Sequence, residues 1–303
     1  MGRKILSQEK VTPRTRLGFI GLGLLGSRIA RRLASAFPMI VFDRDRGKSL
    51  EFAALGCEVA RSPEEMARRV DVLLSSLPDG PVVEDVYLAG GKVLQSARPG
   101  TRVIELSTIA PETSRQLHNA AQWFGVSMLD VAVSGSTVAA EAGKLTLFGG
   151  GEREVFEAME PVFAAIASQW FYLGTSGSGV SMKLVVNTLL GLGMQAVAEA
   201  VALGESLELS RDLLLDTLAR TAVIAPAHVG KLATARRNDY TPQFPVRLMR
   251  KDFELILAAA SRRGVSIPAT KAAADVNFAE AADGGEEDFS AVVRRMERQS
   301  DAL

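Results

Sequence analysis

The sequence of 303 residues predicts an α/β protein in which an N-terminal, doubly wound sheet is followed by an all-α C-terminal domain. Two observations predict this fold class. From Arg16 onward, short apolar runs alternate with amphipathic stretches of helical length, which is typical of a mostly parallel sheet with helices on both faces. After the glycine-rich segment 174–179 this alternation stops, and the later periodic stretches have helical spacing.

The apolar runs of the first part have the length and composition of strands. They are Leu17 to Ile20, Met39 to Phe42, Val72 to Leu77, Arg102 to Leu106, Met128 to Val133, Leu145 to Phe148 and Trp170 to Leu173. Stretches between them predict helices, two of which are opened by a proline in the first turn. These are residues 25–34, 81–88, 111–123 and 152–165. The last two strands are expected to run antiparallel to the others.

The second part predicts a bundle of helices separated by glycine, proline and Asn-Asp breaks. Their expected bounds are residues 180–207, 211–221, 226–235, 246–263, 268–282 and 289–298. The first would be about 42 Å long at 1.5 Å per residue and is apolar around most of its circumference. Such a helix must be buried, and a domain of about 125 residues has too few other helices to cover it. The sequence therefore predicts a homodimer or homotetramer built on the helical domains.

The expected domain bounds are a mobile tail over residues 1–15, a sheet domain over 16–178 and a helical domain over 179–303. Thirty-five basic residues balance 35 acidic ones, which argues against nucleic acid or an anionic membrane as a partner. Cys57 is the single cysteine, so an internal disulfide is excluded. No signal peptide is expected, and no membrane span is predicted, because no uncharged apolar stretch approaches ~18 residues. A cytoplasmic protein is expected.

A glycine-rich segment, Gly21-Leu22-Gly23-Leu24-Leu25-Gly26, directly follows the first predicted strand and opens a helix. Glycines suit this position because backbone amides at a helix N-terminus can touch a pyrophosphate that a side chain would hold away. An acidic residue, Asp43, ends the next strand and completes the dinucleotide-binding fingerprint. The first domain is therefore predicted to be of the Rossmann type and to bind a dinucleotide.

The choice between NAD and NADP stays open. Asp43 is placed to accept hydrogen bonds from the 2′-hydroxyl of an adenosine ribose, and its charge repels a 2′-phosphate, which favours NAD. Arg44 can neutralise a phosphate, which leaves NADP possible. A solvated loop is the plain alternative for this arginine.

Lys183 and Asn187 lie four residues apart, just after Gly177-Ser178-Gly179. On a helix this spacing places both side chains on one face, so that an ammonium and an amide can converge on one bound molecule. A cationic proton donor beside a nicotinamide suggests a carbonyl reductase.

A small polar loop, Ser134-Gly135-Ser136, follows the fifth predicted strand. Its unhindered amides and its hydroxyls offer a seat for a substrate carboxylate, whereas a plain Ser-Gly turn is the structural alternative. No cluster of histidine, cysteine and carboxylate groups predicts a metal site.

Taken together, these segments resemble the β-hydroxyacid dehydrogenases across nearly the whole chain from Arg16. The signatures that carry the resemblance occur in the family's order and end with Lys251-Asp252, which alone would predict only a solvated helix face. They are Gly18 to Gly26, Leu106-Ser107-Thr108, Val133 to Ser136, Gly177-Ser178-Gly179 with Lys183 and Asn187, and Lys251-Asp252. Ser136, Phe244-Pro245 and Asp288 to Ala291 look most like the glyoxylate/succinic semialdehyde reductase branch.

The resemblance implies roles for the matched residues. Lys183 would be the catalytic acid/base and Asn187 would orient it or the substrate. The substrate carboxylate would be bound by Ser134, Gly135 and Ser136. The cofactor would be contacted by the glycine-rich segment, Asp43, Arg44, Leu77, Pro78, Thr108 and Lys251, the last from the helical domain. Two residues depart from the pattern, because Ala132 replaces a usual proline and Asp43 replaces the Asn of NADPH-using members of the branch.

The function implied by the resemblance is NAD(P)-dependent hydride transfer between nicotinamide and a small carboxylate that bears an aldehyde, keto or hydroxyl group. Glyoxylate, succinic semialdehyde and 3-hydroxyisobutyrate are examples of such substrates. Two alternatives stay open. One is a catalytically silent, cofactor-binding interaction protein, against which Lys183 and Asn187 argue. The other is an imine reductase, a class that usually carries Asp or Tyr at the position of Lys183.

Overall fold

The computed structural model describes residues 10–89 and 92–300. The chain divides into two compact units, of which the first ends at Lys183 and the second begins at Leu184. This division falls inside one helix, whose first residue is Ser178, where the sequence predicted the domain boundary. Residues 1–9 of the predicted tail lie outside the described residues. Val11, in the predicted tail, is buried and donates a backbone hydrogen bond to Ala158. The packed part of the first unit therefore includes residues that precede Arg16.

The described part of the first unit forms one sheet of eight strands. They are β1 (Leu17–Ile20), β2 (Met39–Phe42), β3 (Glu58–Val59), β4 (Val72–Ser75), β5 (Arg102–Glu105), β6 (Ser127–Ser134), β7 (Leu145–Gly150) and β8 (Ala167–Tyr172). The spatial order is β3-β2-β1-β4-β5-β6-β7-β8, with β1 to β6 parallel. Strand β7 is antiparallel to β6, and β8 is parallel to β7, so the last two strands are reversed as predicted. Between β1 and β4 the strand order reverses, and such a switch point is where α/β sheets bind ligands.

Helices cover both faces of this sheet. They are α1 (Leu24–Ala34), α2 (Arg46–Ala53), α3 (Pro63–Ala67), α4 (Gly80–Tyr87), α5 (Val93–Ser96), α6 (Pro111–Trp123), α7 (Thr137–Glu141), α8 (Arg153–Ala158) and α9 (Glu160–Ile166). Strand residues alternate between two cores, so that Leu17 and Phe19 enter one and Ile20 enters the other. Both faces are therefore buried, as a parallel sheet requires.

Helix α2, of eight residues, and the shortest elements were not predicted from the sequence. Strand β3 has two residues and helices α3, α5 and α7 have four or five, which is too short to show a period. The predicted helix over 152–165 is two helices that meet at Met159, just before Pro161, which has no backbone N–H to continue the ladder.

The second unit is helical, as predicted. Its helices are α10 (Ser178–Ser206, which begins in the first unit), α11 (Arg211–Leu218), α12 (Pro226–Arg236), α13 (Val246–Arg263), α14 (Pro268–Gly284) and α15 (Val292–Ser300). Helix α13 has the predicted bounds because Pro245 precedes it and Gly264 ends it in the left-handed conformation, with φ of 67°. The predicted helix from residue 289 starts instead as a 3-10 turn, Phe289–Ala291.

A buried ion pair joins the segments that resemble the reductase branch. The carboxylate of Asp288 lies 2.6 Å from the Lys231 ammonium and also accepts hydrogen bonds from the backbone amide of Phe244 and the hydroxyl of Ser290. The ring of Phe289 packs edge-on against Phe244. These branch-like residues thus hold α12, α13 and the 3-10 turn together.

Helix α10 is long and apolar enough to cross a membrane by length and composition alone. Its most apolar window has a mean hydropathy of 1.5, and 44% of that window is buried. The uncharged run between Lys183 and Glu199 is shorter than the ~18 residues expected of a membrane span. Core helices of soluble proteins also reach this length and hydropathy.

An apolar stripe remains exposed along α10. Met182, Val185, Leu189 and Leu203 are 37%, 58%, 68% and 62% exposed, and their spacing of three, four and fourteen residues places them on one helix face. The stripe supports the prediction that a second copy covers this helix, because exposed apolar patches of this kind mark interaction surfaces.

Replacing Leu189 and Leu203 together by lysine is expected to convert a homodimer or homotetramer into smaller species, because two desolvated ammonium groups cannot be accommodated in an apolar interface. Light scattering at micromolar concentration measures the change. Leu50→Lys, an exposed leucine on α2, is the matched control and is expected to leave the mass unchanged. A wild-type protein that is monomeric and fully active would refute the predicted interface.

Candidate active site

The three motif glycines serve different purposes. Gly21 has φ of 93°, and a Cβ there or at Gly26 would come closer to backbone oxygens than the 3.0 Å that real Cβ atoms keep. At Gly23, in contrast, a Cβ would meet nothing within 4 Å. The fold itself therefore requires glycine at Gly21 and Gly26, because a side chain would collide with the backbone. At Gly23 a side chain would fit, so the space beside this glycine is open.

This open space lies at the start of α1, where Gly23 is the N-cap and supplies no side-chain hydrogen bond. The first amides of a helix lack intrahelical partners and carry partial positive charge. The residues present therefore fit a dinucleotide, whose pyrophosphate can approach the helix at Gly23.

Asp43 follows β2 and ties the glycine-rich loop to that strand. Its carboxylate accepts a hydrogen bond of 2.7 Å from the amide of Leu22 and one of 2.8 Å from the amide of Asp45. Each oxygen keeps another lone pair, so hydroxyls of a ribose can still bind. Arg44, next to it, is exposed.

Replacing Asp43 by asparagine is expected to shift the ratio of kcat/KM toward NADP by about tenfold. The substitution weakens the charged hydrogen bond from the ribose hydroxyl of NAD, a type of bond that contributes ~1.5–3 kcal/mol, and it removes the negative charge that repels the 2′-phosphate of NADP. Asparagine keeps one acceptor oxygen, which can retain the hydrogen bond from the Leu22 amide, while the hydrogen bond from the Asp45 amide is lost. The measurement is the ratio for the two cofactors. In the control, Arg44→Ala added to Asp43→Asn should cancel the gain, and an unchanged ratio in the single variant would show that Asp43 does not face the ribose.

The other residues assigned to the cofactor follow neighbouring strands. Leu77 and Pro78 follow β4, and Thr108 follows β5, so both segments lie at the same carboxyl edge of the sheet as Gly21. Strand β4 ends at Ser75, two residues before its predicted end, which leaves Leu77 in the loop. The amide of Leu77 donates a 2.7 Å hydrogen bond to the hydroxyl of Ser107.

Of the polar segment over residues 134–136, Ser134 is the last residue of β6, and Gly135 and Ser136 connect it to α7. Gly135 has φ of 140°, and a Cβ there would lie 2.7 Å from a methyl of Leu145. The hydroxyl oxygen of Ser136 accepts a 3.2 Å hydrogen bond from the amide of Ala139 and so caps α7. Its hydroxyl hydrogen stays available to donate. Binding of a substrate carboxylate by Ser134, Gly135 and Ser136 stays a prediction.

The helix that carries Lys183 starts against the sheet. Its first amides are held by the buried carboxylate of Asp130 on β6, which accepts hydrogen bonds of 2.8 Å from Gly177 and 3.0 Å from Val180. Burial raises the pKa of Asp130, and these two hydrogen bonds oppose the shift. A Cβ at Gly179 would lie 2.5 Å from the carbonyl oxygen of Asp130, so glycine is needed for the close approach of helix and strand. Lys183 therefore stands on a helix end that is fixed to the sheet.

Asn187 is buried one turn beyond Lys183 on α10. Its amide donates a 2.5 Å hydrogen bond to Asp252 on α13, and the ammonium of Lys251 lies 2.9 Å from the other oxygen of that carboxylate. Among the described residues, the amide oxygen of Asn187 has no hydrogen-bond partner. Asp252 thus holds the amide of Asn187 and forms an ion pair with its neighbour Lys251, contacts that the sequence did not reveal.

Similarity to known proteins identifies the family of the chain. Residues 16–174 match the model of the NAD binding domain of 6-phosphogluconate dehydrogenase. Residues 177–296 match that of the NAD-binding domain of NADP-dependent 3-hydroxyisobutyrate dehydrogenase. The chain belongs to the β-hydroxyacid dehydrogenase family. It is an NAD(P)-dependent oxidoreductase, as the sequence predicted.

Individual relatives cover most of the chain. Glyoxylate/succinic semialdehyde reductase 1 of Arabidopsis thaliana is 33% identical over 282 residues, which are 92% of this chain and 98% of the relative. The NAD-dependent L-serine dehydrogenase of Pseudomonas aeruginosa is 37% identical over 261 residues, 83% and 87% of the two chains. The structure of Mycobacterium tuberculosis 3-hydroxyisobutyrate dehydrogenase with L-serine has a TM-score of 0.84 and 32% identity, and the match covers 93% of this chain and 99% of that one. Solved imine reductases of about one-fifth identity share the fold alone.

Proposed function

We propose that the protein reduces the aldehyde of a small carboxylate, such as glyoxylate or succinic semialdehyde, and that Lys183 supplies the proton. The observation that carries the proposal is the placement of Lys183 on a helix end that Asp130 and Gly179 fix to the sheet. The similarity to a glyoxylate/succinic semialdehyde reductase over nearly the whole chain supports the substrate class.

The chemistry of Lys183 follows from charge. Bound nicotinamide supplies the hydride for reduction and accepts it for oxidation. Negative charge then develops on the carbonyl oxygen, and the Lys183 ammonium both stabilises this charge and donates the proton. In the reverse direction, neutral Lys183 accepts the proton from the hydroxyl.

The residues around Lys183 are proposed to fix geometry. The side-chain nitrogen of Asn187 donates a hydrogen bond to Asp252, which fixes the orientation of the amide. The amide oxygen, which has no hydrogen-bond partner among the described residues, can then accept a hydrogen bond from the Lys183 ammonium or from substrate. Ser134 and Ser136 are proposed to donate their hydroxyl hydrogens, with the Gly135 amide, to the substrate carboxylate. Lys251 is proposed to contact the cofactor.

A panel of substrates tests this function. Glyoxylate, succinic semialdehyde, 3-hydroxyisobutyrate and L-serine are each assayed with both cofactors, and butanal serves as the uncharged counterpart of succinic semialdehyde. A ketone supplied together with an amine is assayed in the same way. We expect kcat/KM to be at least about tenfold higher for the carboxylate, because charge-assisted hydrogen bonds contribute ~1.5–3 kcal/mol. Equal values would contradict a carboxylate site, turnover only of a ketone with an amine would indicate an imine reductase, and absence of all turnover would indicate a silent binding protein.

We further propose a cytoplasmic homodimer or homotetramer without nucleic-acid or membrane partners. The balance of 35 basic and 35 acidic residues supports the absence of a polyanionic partner. The exposed stripe along α10 supports assembly through the helical unit.

A further inference from the structure

A row of polar side chains crosses the centre of the sheet. Ser75, Glu105 and Asp130 are register partners on β4, β5 and β6, and all three are buried. Register partners on parallel strands point to the same face, which here also holds Val103 and Met128 of the core. Asp130 holds the start of α10, but the mechanism proposed above leaves Glu105 without a role.

Glu105 connects two loops that follow neighbouring strands. One carboxylate oxygen accepts a 2.8 Å hydrogen bond from the amide of Ser107, and the other accepts one from the hydroxyl of Ser75, which lies 2.5 Å from the hydroxyl of Tyr87 on α4. The hydroxyl of Ser107 in turn accepts the amide hydrogen of Leu77 at 2.7 Å. A chain of hydrogen bonds therefore runs from Glu105 to the loops after β4 and β5.

A carboxylate at this position is costly for the fold. A buried charge needs compensation, and the hydrogen bonds to Glu105 come from hydroxyls and an amide. Burial raises the pKa of Glu105 to about 7, while hydrogen bonds from Ser107 and Ser75 oppose the shift. Strongly perturbed groups of this kind concentrate at functional sites.

We propose that Glu105 is a positioning residue of the dinucleotide site, which fixes Ser107 and, through it, the Leu77 amide, so that both loops are preset for the cofactor. The inference rests on the proposed placement of the cofactor against Leu77, Pro78 and Thr108. Ionised Glu105 receives the hydrogen bonds of Ser75 and Ser107. Its protonation removes acceptor capacity from the carboxyl and weakens its hydrogen bond from the Ser107 amide, so that Ser107 can turn away from Leu77.

A dependence of cofactor affinity on pH follows. Because the ionised form presets the loops, cofactor affinity falls as pH decreases through the pKa of Glu105, by at most about tenfold between pH 8 and pH 6. Among the described residues, Tyr87 on α4 and Asp130 on β6 face Glu105. Tyr87 stays neutral in this range because burial raises its pKa well above 10. Burial also raises the pKa of Asp130, and its two backbone hydrogen bonds oppose that shift, so the Glu105→Gln variant is needed to assign the pH dependence to Glu105.

The test measures the dissociation constant of NADH by fluorescence from pH 6 to 8.5 and needs no substrate. We expect the wild-type constant to rise about three- to tenfold from pH 8 to pH 6. Glu105→Gln is expected to bind more weakly than wild type at pH 8 and to show no dependence on pH. Ser107→Ala is expected to bind more weakly at pH 8 as well, because it removes the hydroxyl between Glu105 and Leu77. Glu51→Gln, at an exposed glutamate on α2, is the matched control and should behave as wild type.

Two outcomes would overturn the proposal. One is a Glu105→Gln variant that keeps the affinity and the pH dependence of wild type. The other is a Ser107→Ala variant that binds NADH as tightly as wild type, which decides the matter even where Glu105→Gln fails to fold. Because NADH binding is measured without turnover, an error in the proposed substrate would leave this result unaffected.

Discussion

Replacing Lys183 by alanine is expected to lower kcat/KM by about 10²–10⁴-fold, the range usual for loss of a general acid or base. The dissociation constant of the cofactor should stay nearly unchanged, because the ammonium is proposed to act on the carbonyl oxygen of the substrate. The substitution leaves the start of α10 in place, because Asp130 accepts hydrogen bonds from the backbone amides of Gly177 and Val180 and not from Lys183. Steady-state kinetics and cofactor titration together measure the two effects.

Two further variants make the Lys183 experiment specific. Lys183→Arg keeps the positive charge but is a poor proton donor, so it should recover little of the lost rate. Lys271→Ala, at an exposed lysine on α14, should retain wild-type kinetics. If Lys183→Ala kept a tenth or more of wild-type kcat/KM, Lys183 would have no place in proton transfer.

The second large effect is expected at Gly23. Gly23→Ala should fold with nearly unchanged stability, because its Cβ meets no atom within 4 Å, yet it should weaken cofactor binding by about 10–100-fold. The methyl group would occupy the space through which a pyrophosphate reaches the amides of α1, and loss of such hydrogen bonds costs ~1–3 kcal/mol. Thermal unfolding and cofactor titration separate the two properties.

Gly26→Ala provides the contrasting variant from the same motif. Its Cβ would collide with the carbonyl oxygen of Gly21, so it should be destabilised by several kcal/mol, in the range of other strained backbone substitutions, before any effect on the cofactor. A Gly23→Ala variant that bound the cofactor like wild type would show that the pyrophosphate does not approach at this residue.

Elements with a clear period were predictable from sequence. Helix α13 was predicted with its observed bounds because a proline and a left-handed glycine mark its ends. The family and the reversed last two strands were also predicted correctly. Strand β3 and the shortest helices were not, since too few residues lie in each to reveal a pattern.

The side chains that support the site were harder to predict than those assigned to the chemistry. Asp130 holds an amide 47 residues away, and Asp252 holds Asn187 across 65 residues. Only the folded sheet and helices bring such pairs together, and no local motif encodes them. An acidic residue inside an apolar strand, as at Glu105 and Asp130, is the one signal that the sequence offered.

Transfer of deuterium follows the hydride itself and therefore tests hydride transfer from the nicotinamide to a small carboxylate. The reduced cofactor, labelled with deuterium at one C4 position of the nicotinamide at a time, is incubated with succinic semialdehyde and the hydroxy acid is examined by mass spectrometry. We predict that wild-type protein transfers deuterium to the former carbonyl carbon from one of the two labelled cofactors, and that Lys183→Ala forms at most about a hundredth of this product. Oxidation of both labelled cofactors without deuterium in the hydroxy acid would contradict hydride transfer to a small carboxylate.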